Sequence, residues 1–149
     1  MTSTPAPTTT LDNAATVAAI YEAFGRGDVP AILERLADGV AWEHWADNYA
    51  QRAGVAHLVR RDGRADVAGF FGVIGAWTVL DFAVLDVIGT GRQVVAEVRA
   101  SFALPGGGRL ADEELHLWTF GEDGLVVRFR HYCDTAKHIA VSAGRDTAG

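Results

Sequence analysis

The chain has 149 residues, the usual length of one domain, with room for one hydrophobic core and not for two. Apolar residues make up 49% of it and its formal charge is -6, which excludes wholesale disorder and argues against a nucleic-acid partner; the arginines are scattered, with no basic stripe. The longest apolar stretches, such as VAGFFGVIGAW, fall far short of the roughly 20 residues that span a bilayer, so no membrane partner is expected.

The opening MTSTPAPTTT has neither a basic start nor an apolar h-region, and reads as a solvated tail over residues 1–10 rather than a secretory signal. A single cysteine, Cys133, excludes an intrachain disulfide and a cysteine-based zinc site, and makes the cytoplasm the expected address. Val17, Ile20, Tyr21 and Phe24 recur at helical spacing, and GRGD ends that helix. Asp28 then caps a second, short helix with Pro30 in its first turn and Ile32, Leu33 and Leu36 on its apolar face. VAWEHW changes to the two-residue period of a strand, with Trp42 and His44 on one face and Ala41, Glu43 and Trp45 on the other. Residues 46–63 read as a loop. A third helix is expected over residues 64–77, with Val67, Phe70, Phe71 and Ile74 on one face. Gly69, Gly72 and Gly75 recur within it, each costing about 1 kcal/mol against Ala, with close packing on a sheet as the expected compensation.

From Thr78 onward the pattern is strand, broken by the hairpin signals GTGR, PGGG and GEDG. EELHLWTF places Glu114, His116, Trp118 and Phe120 on one face, and LVVRFRHYCD places Val127, Phe129, His131 and Cys133 on one face. Histidines set among aromatics on strand faces point to a pocket. Glu97 and Arg99 alternate against Val94, Ala96, Val98, Ala100 and Phe102, so periodicity alone makes them a solvent-facing ladder. Asp134 reads as the N-cap of the segment TAKHIAV. The predicted fold class is α+β. Three N-terminal helices pack on a curved, mostly antiparallel sheet to form a cone-shaped pocket, in one domain over residues 11–142 with a second tail at 143–149.

The order of elements, with AIYEAFGRGDVPAILERLADGVAWEHW at the start and ELHLWTFGEDGLVVRFRHYCDT at the end, resembles the nuclear transport factor 2-like superfamily. Within it the chain is most similar to the SnoaL-like polyketide cyclase and ketosteroid isomerase group. The resemblance spans about residues 11–140 and implies the cystatin-like α+β barrel. It also implies that the catalytic aspartate of ketosteroid isomerases falls on His44 and their protonated aspartate on His116. Their first-helix tyrosine falls on Ile20, with Tyr21 one place off and expected to point elsewhere. Against limonene-type epoxide hydrolases, the Arg-x-Asp pair falls on Glu97 and Arg99, the final-strand aspartate on His131, and the first-strand tyrosine and asparagine on Trp42 and His44. Every catalytic identity of both relatives is replaced, so neither literal activity is expected.

What the resemblance implies is a cofactor-independent, acid–base enzyme for isomerisation, cyclisation or dehydration of a small apolar, oxygenated ligand. His44 is the expected base, His116 the acid or oxyanion donor, Glu97 and Arg99 the polarising pair, and His131 a second acid. Trp42, Trp118, Phe129 and Cys133 are the expected substrate-binding wall, and a homodimer through the sheet face is the expected assembly. No metal is assigned; His57 and His138 are given no role. Two alternatives stand beside this reading. One is a non-catalytic small-molecule binding or accessory protein of the same fold; the other is a metal-dependent enzyme using His44, His116 and His131.

Overall fold

The computed structural model describes residues 12–89 and 91–148, so the expected tail over residues 1–10 lies outside the described residues. Asp12 caps the first helix, α1 (Asn13–Gly25), by accepting the Ala15 N–H at 3.0 Å, and Val17, Ile20 and Ala23 form its buried stripe. The second helix, α2 (Val29–Leu33), starts as its sequence predicts, with Asp28 accepting the Ala31 N–H and Pro30 in the first turn. Leu36 does not continue that helix. It opens β1 (Leu36–Trp42), where it is fully buried, a placement worth roughly 1.5–3 kcal/mol for a leucine. The strand thus begins earlier than expected and stops at Trp42, leaving His44 beyond it.

The expected loop 46–63 contains a one-turn helix, α3 (Tyr49–Arg52), and a two-residue strand, β2 (Arg61–Asp62). The next helix, α4 (Arg64–Ile74), ends earlier than predicted. The compensation expected for its three glycines is found only at Gly69, where a Cβ would lie 2.8 Å from Nη1 of Arg61; Gly72 has open space and Gly75 caps the helix. Four long strands follow: β3 (Thr78–Ile88), β4 (Gln93–Ala103), β5 (Arg109–Phe120) and β6 (Val126–Tyr132). In the GEDG turn Gly121 N–H donates to Leu125 C=O at 2.9 Å, and Gly124 takes a φ of 79° that glycine adopts without steric cost. The last helix, α5 (Thr135–Ser142), is capped by Asp134 as predicted.

The six strands form one open sheet in the order β2-β1-β6-β5-β4-β3, antiparallel throughout except for the parallel pair β1–β6. One core gathers Val17 and Ile20 of α1, Ile32 of α2, Val67 and Phe71 of α4, and the inward residues of β1, β4, β5 and β6. The result is the expected α+β cone. A register shift between Thr119 and Phe120 buries Val126 fully, while Val127, expected inward, is only half-buried. Residues 143–148, expected as a free tail, are tied to β5: Thr147 N–H donates to Arg109 C=O at 2.8 Å, and Arg109 pairs with Asp146. Among the described residues no helix is long and apolar enough to cross a membrane.

Candidate functional site

Strand alternation and register build the site row by row. Val94, Trp118, Phe129 and Trp42 stand side by side on four neighbouring strands, and the Trp42 and Phe129 rings stack with centroids 4.0 Å apart. The next row is Ala96, His116 and His131; beyond it Val98 faces Glu114 and Ala100 faces Asp112. Small residues on β4 thus stand opposite every polar residue of the inner face of β5, which leaves space above them. Tyr21, Phe24, Phe70, Phe71, Trp77 and Phe82 help close that space into a narrow cavity of about 90 Å³. This is smaller than the roughly 150 Å³ of a dry cavity that admits benzene, so the cavity suits a compact ligand.

A connected polar network lies against the cavity. Glu114 is its centre and is almost fully buried. His116 Nε2 lies 3.1 Å from Glu114 Oε1, and His116 Nδ1 lies 2.5 Å from the Tyr21 hydroxyl, which also accepts the Trp118 indole N–H at 3.1 Å. On the other carboxylate oxygen, His138 Nε2 sits at 3.2 Å while also bonding Asp112 Oδ2 at 2.9 Å. His57 Nε2 approaches His138 Nδ1 at 2.8 Å. His131 Nε2 comes within 3.0 Å of Glu114 Oε2, but too obliquely to form a hydrogen bond. His44 Nδ1 meets His131 Nδ1 at 3.3 Å, and His44 Nε2 is buried with no partner.

Burial and charge act against each other along this network. Burial pushes the Glu114 carboxyl up, but His131 and the hydrogen bonds around it outweigh that and hold it well below the usual carboxylate range. Burial likewise lowers His116 and outweighs the support from Glu114, so His116 is neutral. Its Nε2–H therefore donates to Glu114 and its Nδ1 accepts from Tyr21, whose hydroxyl burial keeps protonated. His138 goes the other way. Burial opposes its charge, but bonds to Asp112, Cys133 and Glu114 raise it to about 11. Charged His138 donates to His57, which burial lowers to about 3, and burial together with His131 pushes His44 well below its usual value.

The expected site residues divide accordingly. Trp42, His116, Trp118, Phe129 and His131 line the cavity. His44 reaches the edge of the network by an unforeseen route. It sits beyond β1 at φ 57°, followed by Trp45 at 68° and Asp47 at 59°, a left-handed corner that costs of order 1–3 kcal/mol per residue. The bonds from Asn48 Nδ2 to Trp45 C=O and from Gln51 Nε2 to Glu43 C=O brace it. Cys133 lies just past β6, against Ala50, Val55, Leu58 and Ile139 rather than in the cavity, and burial raises its thiol. Glu97 and Arg99 do not join the site. Both are exposed on the opposite face of β4, where Arg99 pairs with Asp81 at 2.9 Å. Periodicity had placed them outside, and the register agrees.

Four groups escaped the sequence reading. Tyr21, expected to point elsewhere, reaches His116 because a tyrosine is long enough to cover the turn it is displaced by. His138 was signalled only by its spacing of three from Val141, which puts both on the buried face of α5. Asp112 continues the alternation of Glu114 and His116 inward along β5. His57 lies between α3 and β2 and had no local signal.

Solved structures share this architecture. An NTF2-like protein of unknown function from Burkholderia pseudomallei is 26% identical with a TM-score of 0.73, over 86% of this chain and 95% of that one. A putative polyketide cyclase from Xanthomonas campestris is 23% identical with a TM-score of 0.66, over 90% and 99%. An LEH-like epoxide hydrolase of M. tuberculosis is 16% identical with a TM-score of 0.65, over 85% and 86%. No curated protein matches. The model of the SnoaL-like domain matches residues 17–129, most of the chain, and with the cone and its inward-facing network this places the protein in the SnoaL-like family of the NTF2-like superfamily.

Proposed function

We infer that the protein is an enzyme that moves a proton on a compact, largely apolar, oxygenated substrate, in an isomerisation, cyclisation or dehydration. One observation carries this reading: the Tyr21 hydroxyl and His116 Nδ1 lie 2.5 Å apart at an apolar cavity, with Glu114 behind the imidazole. A carbonyl compound seated between the two would part them: its oxygen takes the Tyr21 O–H in place of His116 Nδ1, and the freed Nδ1 lone pair faces an adjacent C–H. The carbon's proton passes to the imidazole, the electron pair it leaves forms the enolate, and Tyr21 donates to the oxygen as charge develops. Glu114 stabilises the imidazolium, which returns the proton to another carbon, or to a leaving hydroxyl in a dehydration. The step balances without a cofactor. Aromatic walls from Trp42, Trp118 and Phe129 would hold the apolar body of the substrate. A putative polyketide cyclase and an LEH-like epoxide hydrolase share this fold, so the fold is one that houses small-molecule enzymes.

Proton–deuterium exchange at carbons next to the carbonyl of small acyclic ketones such as acetone and butanone, followed by NMR in D2O, tests the reading. Wild-type protein should catalyse exchange and His116→Gln should not. Ligands that bind without exchange would overturn it in favour of a binding protein. The same reading has the chain working as a homodimer. Support comes from Leu115 and Tyr132, exposed neighbours on the outer sheet face, and from Val79, Leu80, Leu85 and Ile88 exposed on β3. Light scattering giving a monomer mass would remove the dimer.

A further inference from the structure

We propose that Glu114, His116 and His131 form a binding site for one divalent transition-metal ion, zinc or a metal of similar ligand preference, at the wall of the cavity. This goes beyond the acid–base reading and stands whether or not the pocket turns over a substrate.

The donor set is two imidazoles and one carboxylate, with side chains that are all nine-tenths buried or more. Ligand atoms of the three lie within 4.8 Å of one another. The carboxylate oxygens stand 3.1 Å from His116 Nε2 and 3.0 Å from His131 Nε2. Tetrahedral zinc with bonds of about 2.0–2.1 Å sets its ligand atoms roughly 3.3 Å apart; His116 meets Oε1 and His131 meets Oε2, so the cluster draws in around an ion as Glu114 turns one oxygen toward both rings. An independent observation points the same way. His131 Nε2 is buried within the cluster, 3.0 Å from Glu114 Oε2 but too oblique to it for a hydrogen bond, and leaving a buried nitrogen without a partner costs about 1–3 kcal/mol. A metal ion would satisfy it directly.

The surroundings supply the supporting shell such sites have. With Nε2 of His116 on the metal, its proton moves to Nδ1 and is donated to the Tyr21 hydroxyl at 2.5 Å, which fixes the ring. Nδ1 of His131 faces His44 Nδ1 at 3.3 Å. The fourth position opens on the cavity, where a water or a substrate oxygen would bind. The three-histidine arrangement expected from the sequence is therefore revised: Glu114 takes the place of His44, which contacts the cluster only through His131. The ion replaces the proton that His116 shares with Glu114, so metal-bound and proton-relay forms exclude each other.

The test uses full-length protein freed of metal by chelator dialysis and titrated with Co2+, read by visible d–d absorption, and with Zn2+, read by calorimetry. The expected result is one equivalent bound, with a four-coordinate cobalt spectrum and no thiolate-to-metal band. His131→Gln should weaken binding by more than roughly 100-fold and Tyr21→Phe by about 10-fold, while Cys133→Ser leaves it unchanged. Circular dichroism of each variant establishes that it is folded, and the wild-type spectrum stands even if His131→Gln is not. No binding in the micromolar range would overturn the proposal, as would equal binding by folded His131→Gln. A thiolate band lost in Cys133→Ser would also overturn it, moving the ion to the neighbouring group of His131, Cys133 and His138.

Discussion

His116 and His138 are both buried, both touch Glu114, and burial pushes both toward neutrality, yet they settle on opposite sides. His116 has one carboxylate and a tyrosine hydroxyl, and stays neutral beside the cavity. His138 has two carboxylates, Asp112 at 2.9 Å and Glu114 at 3.2 Å, and is raised to about 11. The additional carboxylate of Asp112, with Cys133 beside it, accounts for the charge. Both line the cavity, and one end of the network is therefore a neutral imidazole held by Tyr21, the other a fixed cation that helps keep Glu114 ionised.

Substitutions at the two ends should separate these roles. At the Tyr21 end, His116→Gln should lower the exchange rate by roughly 10²- to 10⁴-fold while the fold survives, as read by NMR exchange and circular dichroism. At the other end, Asp112→Ala leaves the His138 charge short of a partner and should destabilise the protein by about 3–5 kcal/mol, measured by urea unfolding. A large loss of exchange with intact stability in Asp112→Ala would show that the two ends are not distinct. Tyr21→Phe should cost about 1–3 kcal/mol, because it strips buried His116 Nδ1 and Trp118 Nε1 of their partner, and it should slow exchange less than His116→Gln does. The smallest effect is expected on the outer face: Arg99→Ala should change stability by no more than about 0.5 kcal/mol and leave exchange unaltered. A large loss of exchange there would mean that the outer face of β4 reaches the site after all.

The misreading of Glu97 and Arg99 is instructive. Alternation along β4 put them on the outer face, and only the likeness to epoxide hydrolases drew them inward. A two-residue period is a strong constraint, because a one-residue slip would bury every charged residue of the strand and expose its apolar row. Tyr21 shows the opposite weakness. Helical spacing tells which way a Cα faces, while a long side chain with a polar tip can reach a partner from an adjacent position.

The sequence by itself determined the order of the longer helices and strands, the caps at Asp28 and Asp134, and the inward placement of His116, Trp118, Phe129 and His131 on β5 and β6. These follow from short-range rules: a period of two, a period of 3.6 and a capping carboxylate. Tertiary structure alone decided that Tyr21 from α1, His57 from the loop before β2 and His138 from α5 join one network around Glu114, Tyr21 through His116 and His57 through His138. It alone turned His44 inward through a left-handed corner. Those contacts join residues far apart in the chain, and no local periodicity records a partner that only the closing of the cone brings within hydrogen-bonding distance.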